Sequence, residues 1–450
     1  MPLPDGLPDG SAWMRRARLL LQQEICGLLL APAFWIMLVI LSLLVGYSFI
    51  QAVDLFSQAS RTALTFPELA RGMNPLDGIF VPTFGAYYLA ETLLLPFVAI
   101  RLVGLDKQSG ALKLLLQLPF SPLSLCGLKL SAMGIIWLLS LLPAVVVLLQ
   151  WHLLGGHIFF PEVALLLLGH GLYSLTIVTI AMFAATITGS LPTAAMFCLS
   201  ITLGSWVLDF TAAGRAGLPA IIGRFSLAGM LHQFESGLLT TGAVALFLSI
   251  GLGFFLLSVV WLHPGRRLFG RLAVSLFIVA VTASVPALST FMPGYRDLSE
   301  NRRHSLNPAD SHALARLDKP LRVTIHLNAG DSRLLDLEND MLAKLRRLVP
   351  RLQIRYVADT SGGLFSADRD DNYGLIEYEY NGRHDKSYSN SRQEILAIIY
   401  KLAAIKVKAQ PVAAYSGYPL VADARASRWL FYLVLPLLFL CGWLYSGKRL

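Results

Sequence analysis

The sequence predicts an α-helical polytopic membrane protein of about eight transmembrane helices, with a small α/β domain between the last two spans. Three observations lead there. Charged residues make up 14% of the 450 and hydrophobic ones 55%, whereas about a quarter of an ordinary soluble chain is charged. The deficit is uneven: apolar runs fill most of residues 28–292 and return at 429–446, while 293–428 has the mixed charge of a soluble domain. The Lys and Arg residues of the apolar part stand in short groups between the runs, as membrane topology requires.

Residues 1–27 come first, as a cytoplasmic N-terminal segment. Their start is rich in Pro, Gly and Asp. Trp13, Arg15, Arg16 and Arg18 then lead into Leu19, Leu20 and Leu21, which predicts a short amphipathic helix over 12–26 lying at the membrane surface. No small-residue cleavage site follows the first apolar run, so a cleaved signal peptide is not expected.

A hydrocarbon core about 30 Å thick needs about 20 apolar residues to cross it. Runs of that order stand near 28–50, 79–104, 129–151, 163–187, 193–212, 242–262, 272–292 and 429–446. Residues 28–262 hold six of them as one helical domain, 263–292 a linker and the seventh, and 429–450 the last with a basic tail. Arg15, Arg16 and Arg18 precede the first span. Lys107, Lys113 and Lys129 fall between the second and third, Arg266, Arg267 and Arg271 between the sixth and seventh, and Lys448 with Arg449 after the eighth. An even number of spans places all these groups on one side, the cytoplasm, with both termini. The opposite loops, 51–78, 152–162 and 213–241, are poor in Lys and Arg, with Arg61, Arg71, Arg215 and Arg224 as exceptions. Residues 293–428 are then extracytoplasmic.

That outer segment alternates strand and helix signals. Leu321, Val323, Ile325 and Leu327 have the period of a half-buried strand. Leu334, Leu337, Met341, Leu345 and Leu348 have helical spacing, and Pro350 stops the run. Leu352, Ile354 and Tyr356 alternate again. Residues 374–380 lead into Asn381-Gly382, a hairpin-turn pair. Ser391 with Glu394 three residues on reads as a capping box opening a second helix. The order fits a small α/β domain, thioredoxin-like in outline, without the cysteines of thioredoxin chemistry.

Between the second and third runs, Leu105 to Lys129 read LDKQSGALKLLLQLPFSPLSLCGLK. A Gly at 110 and a Pro at 119 would bound a short helix able to transmit a push; packing turns would carry the same marks. The segment resembles the first cytoplasmic loop of ABC-2-type transporter permeases in Asp106, Lys107, Gly110, Leu112 and the run Pro119-Phe120-Ser121-Pro122, with Gln108 and Lys113 where carboxylates are usual. Residues 231–262 resemble the last permease span of the gliding-motility-type branch. Tyr295 to Leu327, with Asp297, Leu298, Leu306, Pro308, Leu317 and Pro320 in matching places, resembles the start of the auxiliary protein that accompanies those permeases. Residues 417–440 resemble that protein's terminal span.

The resemblance implies a permease fused to its auxiliary domain in a bacterial inner membrane, acting as an exporter and powered by a separate ATPase. It implies a homodimer of permease chains, with an ATPase-coupling loop at Asp106, Lys107, Gln108, Gly110, Leu112, Pro119, Ser121 and Pro122. An extracytoplasmic protein partner is also open. Two alternatives follow from the same branch: a mechanotransmission or envelope-assembly platform, or a maturation factor for an exported enzyme.

The chain carries no GxxxxGK[ST] phosphate loop, so the ATP-hydrolysing motor is expected on another chain. No HExxH, GxSxG or paired Cys/His cluster suggests catalysis, and neither a cofactor nor a metal is expected. The net charge of +9 lacks the basic patch with interleaved aromatics that nucleic-acid binding needs. Two carboxylates fall within spans, Glu91 and Asp209. Charge there is costly and marks a translocation path by default; the alternatives are a bond from Glu91 to a neighbouring helix and an interfacial position for Asp209.

Overall fold

A computed structural model describes residues 10–212, 223, 225–265, 267–289, 294–328, 331–357, 373–405, 407 and 415–449. The start of the chain (1–9), Arg215, Arg224, Arg266 and the last expected residues of the seventh run (290–292) lie outside the described residues.

Among the described residues eight helices are long and apolar enough to cross a membrane: Pro32–Thr65 (span 1), Leu76–Ser109 (span 2), Pro122–Leu153 (span 3), Phe160–Ile187 (span 4), Leu191–Asp209 (span 5), Thr241–Leu262 (span 6), Leu268–Val285 (span 7) and Ser427–Gly447 (span 8). Four of them start where local chemistry favours it. Pro stands in the first turn of Pro32–Thr65, Pro122–Ser140 and Phe160–Ile187, where its missing N–H costs nothing. Thr240 caps span 6, accepting from the Ala243 N–H.

Span 1 differs from the run expected at 28–50. It begins at Pro32 and continues to Thr65, into the stretch expected as a loop from 51. Gln51, Asp54 and Gln58 lower the hydropathy there, yet Ala52, Val53, Phe56, Ser60 and Ala63 keep a buried stripe at helical spacing. At about 1.5 Å per residue the helix outruns a hydrocarbon core. The N-terminal helix is also longer than predicted, Gly10–Leu30, and exposes Trp13, Met14, Arg15, Arg16, Arg18 and Leu19.

The two ends of the bundle are chemically distinct. At one end, among the described residues, gather the connections after spans 1 and 3, the short helix Leu227–Glu235 and the sheet domain. At the other lie the N-terminal helix, the 100–121 loop, Thr186–Ser190 and the turn between spans 6 and 7. Near that end span 8 returns to the chain start: the ring of Trp35 lies where a Cβ on Gly442 would meet it at 2.7 Å.

The sheet domain has a core of its own, separate from that of the bundle. Its four strands are Leu321–Ile325 (β2), Leu352–Tyr356 (β3), Ile376–Tyr380 (β4) and Arg383–Ser387 (β5), in the spatial order β3-β2-β4-β5. β2 and β3 are parallel; β2–β4 and β4–β5 are antiparallel. The β2–β3 crossover is helical, running Ser332–Leu337, a π turn at Glu338–Leu342 and Ala343–Leu348. Leu334, Leu337, Met341 and Leu345 face the core, as their spacing predicts. Asn381 and Gly382 both have positive φ, 53° and 74°, the geometry a two-residue hairpin turn requires.

The closing helix, Arg392–Ala403, corrects one expectation. Ser391 is its N-cap by backbone, but its side chain accepts no cap bond. Glu394 instead takes the Ser387 hydroxyl from the neighbouring strand. The strand's hydroxyl competes for the same carboxylate, and the capping box does not form.

One more strand pair fastens the two domains. Leu238–Thr240 (β1), just before span 6, pairs antiparallel with Tyr295–Asp297, just after span 7. Asp297 then accepts from the Ser299 N–H and hydroxyl, the His304 N–H and the Ser305 hydroxyl, folding 297–305 into a compact loop.

Candidate functional site

The 100–121 loop forms a knob at the end away from the sheet domain. Gly110 has φ 77°, a conformation that ends one helix and starts another at little cost only for Gly. Beyond it Ala111–Leu115 is a five-residue helix whose Leu112 is buried, while Lys113, Leu114 and Gln117 are exposed. Pro119 lies in the exposed turn, and Phe120 is buried 6.1 Å from the Trp13 ring. Ser121 caps span 3 through the Ser124 N–H at 3.1 Å, with Pro122 as the first helical residue. Gln108 faces solvent.

The base of the knob is bolted down. Lys107 Nζ donates to the carbonyls of Thr186 and Thr188, at 2.7 and 2.6 Å, closing the end of span 4, where a cation is favoured by the helix dipole. Lys129, expected in the loop, sits inside span 3 with a fully buried side chain. Its ammonium donates to Glu24 at 2.5 Å, Asp106 at 2.6 Å and the Leu102 carbonyl at 2.6 Å. Three donors meet three acceptors from the N-terminal helix and span 2. Burial lifts the Glu24 carboxyl above its usual value, against the pull of Lys129.

Glu91 and Asp209 take different positions in their spans. Glu91 is fully buried near the middle of span 2, and accepts the Ser174 hydroxyl of span 4 at 2.5 Å. It is thus bonded to a neighbouring helix. Asp209 is half-buried at the end of span 5, against Gly229 of the short helix Leu227–Glu235; a Cβ on that glycine would lie 2.3 Å from its Oδ1.

Sequence reasoning missed what surrounds Glu91. His170 of span 4 is completely buried, its ring 5.6 Å from Tyr87 and 5.2 Å from Phe84. His170 Nε2 approaches Glu235 Oε1 at 3.3 Å, and Glu235 Oε2 bonds His232 Nδ1 at 2.7 Å. Burial opposes the charge on Glu235, but the two imidazoles more than offset it and hold the carboxyl at about 2. The same bond raises the His232 pKa. A group raised on folding stabilises below its unfolded value and loses that contribution as pH climbs through the folded one. His232→Ala is therefore expected to lower the melting temperature at about pH 5.5 and to have little effect at about pH 9; equal losses at both would show that the pair does not form.

A second hub lies between the bundle and the sheet domain. The Glu300 carboxylate takes the Tyr418 hydroxyl at 2.6 Å and His157 Nε2 at 3.1 Å, while its backbone N–H donates to Glu162 at 2.8 Å. Arg303 grips both oxygens of Asp77 at 2.7 Å and donates to the Ser236 carbonyl at 3.0 Å. Among the described residues no group of three His, Cys, Asp or Glu side chains is placed to hold a metal ion. Comparison of the chain with protein-family models, curated proteins and solved structures returns no match.

Proposed function

We propose that the chain is the membrane-spanning permease subunit of an ATP-driven exporter of ABC-2 type, powered by a separate ATPase that docks on the knob. In this reading the knob end is cytoplasmic, the sheet domain extracytoplasmic, and a second copy of the chain completes the pore. The observation that carries it is the knob itself. A short exposed helix, hinged at Gly110, is joined at its base to spans 2, 3 and 4 by Lys107, Asp106 and Lys129. A push on such a helix is transmitted to three spans at once.

The test is gentle purification of the full chain from its native membranes. A subunit bearing a GxxxxGK[ST] loop is expected to come with it, and Leu114→Asp is expected to weaken that capture about tenfold or more, as loss of an interface anchor does. Leu114 is 68% exposed, so melting should be unchanged. Recovery of the chain with no such subunit at any detergent strength overturns the reading.

The Glu300 hub favours a second reading, a mechanotransmission platform in which motion of the bundle is passed to the sheet domain and to an envelope partner. It predicts ATP-dependent movement of residues 321–403 with no substrate flux.

A further inference from the structure

Four ionisable side chains from three elements form a line that runs from the surface to the bundle interior. His232, its side chain 77% exposed, lies on the short helix beside β1, at the sheet-domain end. Glu235 is next, 7% exposed, then His170 and Glu91, at 0% and 1%. The first two links are 2.7 and 3.3 Å long. Ser174 lies beside the last two: it stands one turn beyond His170 on the same face of span 4, and its hydroxyl reaches both Glu91 and the His170 backbone carbonyl.

The hydrogen bonds around Ser174 say what Glu91 carries. The Ser174 oxygen lies 2.5 Å from Glu91 Oε2 and 2.7 Å from the His170 carbonyl. A hydroxyl has one proton to give. With an ionised Glu91, two acceptors compete for it, and a buried charge is left without a counter-ion. A protonated Glu91 donates to the Ser174 oxygen, and Ser174 donates to the carbonyl, so both bonds form and no bare charge is buried.

Among the described residues, the other groups that bear on Glu91 include Tyr87, Trp137 and His170, and none of these is a Lys or Arg. Tyr173 lies beside the same face, while Asp209 and Tyr88 lie nearer the His232 end. Glu91 Oε1 and both nitrogens of His170 are buried without a hydrogen-bond partner of good geometry. Unsatisfied buried polar atoms are rare and costly, and here they belong to the two innermost groups of the line. With no metal-holding group among the described residues, the cation that fits is a proton.

We infer that Glu91 is a buried proton-binding site, loaded from the sheet-domain end through His232, Glu235 and His170. A proton taken by His232 passes from Nδ1 to Glu235 and on to His170 Nε2. The imidazole releases its Nδ1 proton to Glu91, which becomes neutral. The relay groups regain their starting charges, and the imidazoles, left in the opposite tautomer, reset by ring rotation or proton exchange. Carboxylate–imidazole chains of this kind are the usual proton routes in membrane proteins. The inference stands on these side chains and needs no ATPase.

Infrared difference spectroscopy of the full chain in lipid tests it. A protonated-carboxyl C=O band is expected in the parent and absent in Glu91→Gln. Its hydrogen–deuterium exchange is expected to slow about tenfold or more in His170→Gln and in Glu235→Gln. Ser174→Ala, which removes only the hydroxyl, should shift the band and retain it, and so serves if Glu91→Gln does not fold. Failure of Glu91→Gln or Ser174→Ala to alter any carboxyl band overturns the site. Exchange as fast in both relay variants as in the parent overturns the route.

Discussion

Lys129→Met is expected to cost about 3–5 kcal/mol, the usual result of removing one partner from a buried ion cluster. The substitution nearly conserves volume, so cavity formation contributes little. What is lost is three charge-assisted hydrogen bonds in one place. Glu24 and Asp106 are left side by side without their cation, and the Leu102 carbonyl without its donor. Thermal unfolding of the purified chain checks this. Glu24→Gln should cost less, because a neutral amide still accepts from the ammonium. Combining Lys129→Met with Glu24→Leu and Asp106→Leu should recover much of the loss, because no buried charge then lacks a partner. A melting temperature for Lys129→Met equal to that of the parent would show that the N-terminal helix is not held by this cluster.

Gly417→Ala is expected to release the strap that leads into span 8. Gly417 has φ 71°, and a Cβ there would lie 1.6 Å from the backbone oxygen of Ala70. The left-handed conformation alone costs a side-chain-bearing residue about 1–2 kcal/mol, and the clash with backbone adds at least about 1–3 kcal/mol. Further along, the strap is held to span 1 by the Leu420 N–H on the Ser60 hydroxyl at 3.0 Å and by Ala422, which exchanges bonds with the Ser57 hydroxyl at 2.9 and 2.7 Å. Around Gly417 the bonds are those of Tyr418. The Tyr418 N–H donates to the Met73 carbonyl at 2.9 Å, its hydroxyl reaches Glu300, and its ring stacks on His157 at 3.7 Å. Limited proteolysis should therefore open sites between 415 and 419 in the variant, with a smaller change in the melting of the bundle. Unchanged cleavage would mean that the strap shifts as a unit and stays docked.

The two variants probe features of different legibility. The number of long apolar helices and the order of elements in the sheet domain could be read from the sequence, because run length and periodicity are local properties. The Asn381-Gly382 turn was legible for the same reason. The extension of span 1 to Thr65 was not, since mean hydropathy falls while the buried stripe continues. Lys129 looked like a loop charge because its partner Glu24 lies 105 residues away. The line from Glu91 to His232 left no trace either. Its links join span 2, span 4 and the short helix, and no spacing in the chain encodes that meeting. The Ser391 box failed because Ser387, four residues upstream, holds the carboxylate. The knob was visible through Gly110, Pro119 and Pro122, but its attachment through Lys107 to the end of span 4 was not.

Span 1 and span 8 also impose a schedule on synthesis. The Ser42 hydroxyl donates to the Phe431 carbonyl at 2.9 Å, 389 residues on, and Gly46 is the notch that takes the Phe431 side chain. A ribosome adding about 5–20 residues per second delivers Phe431 on the order of 20–80 s after Ser42. Throughout that interval the notch must be filled by lipid or by a holding partner, and spans 2 to 7 must assemble without closing over it. A chain that stops short of span 8 lacks the side chain that fills this groove on span 1.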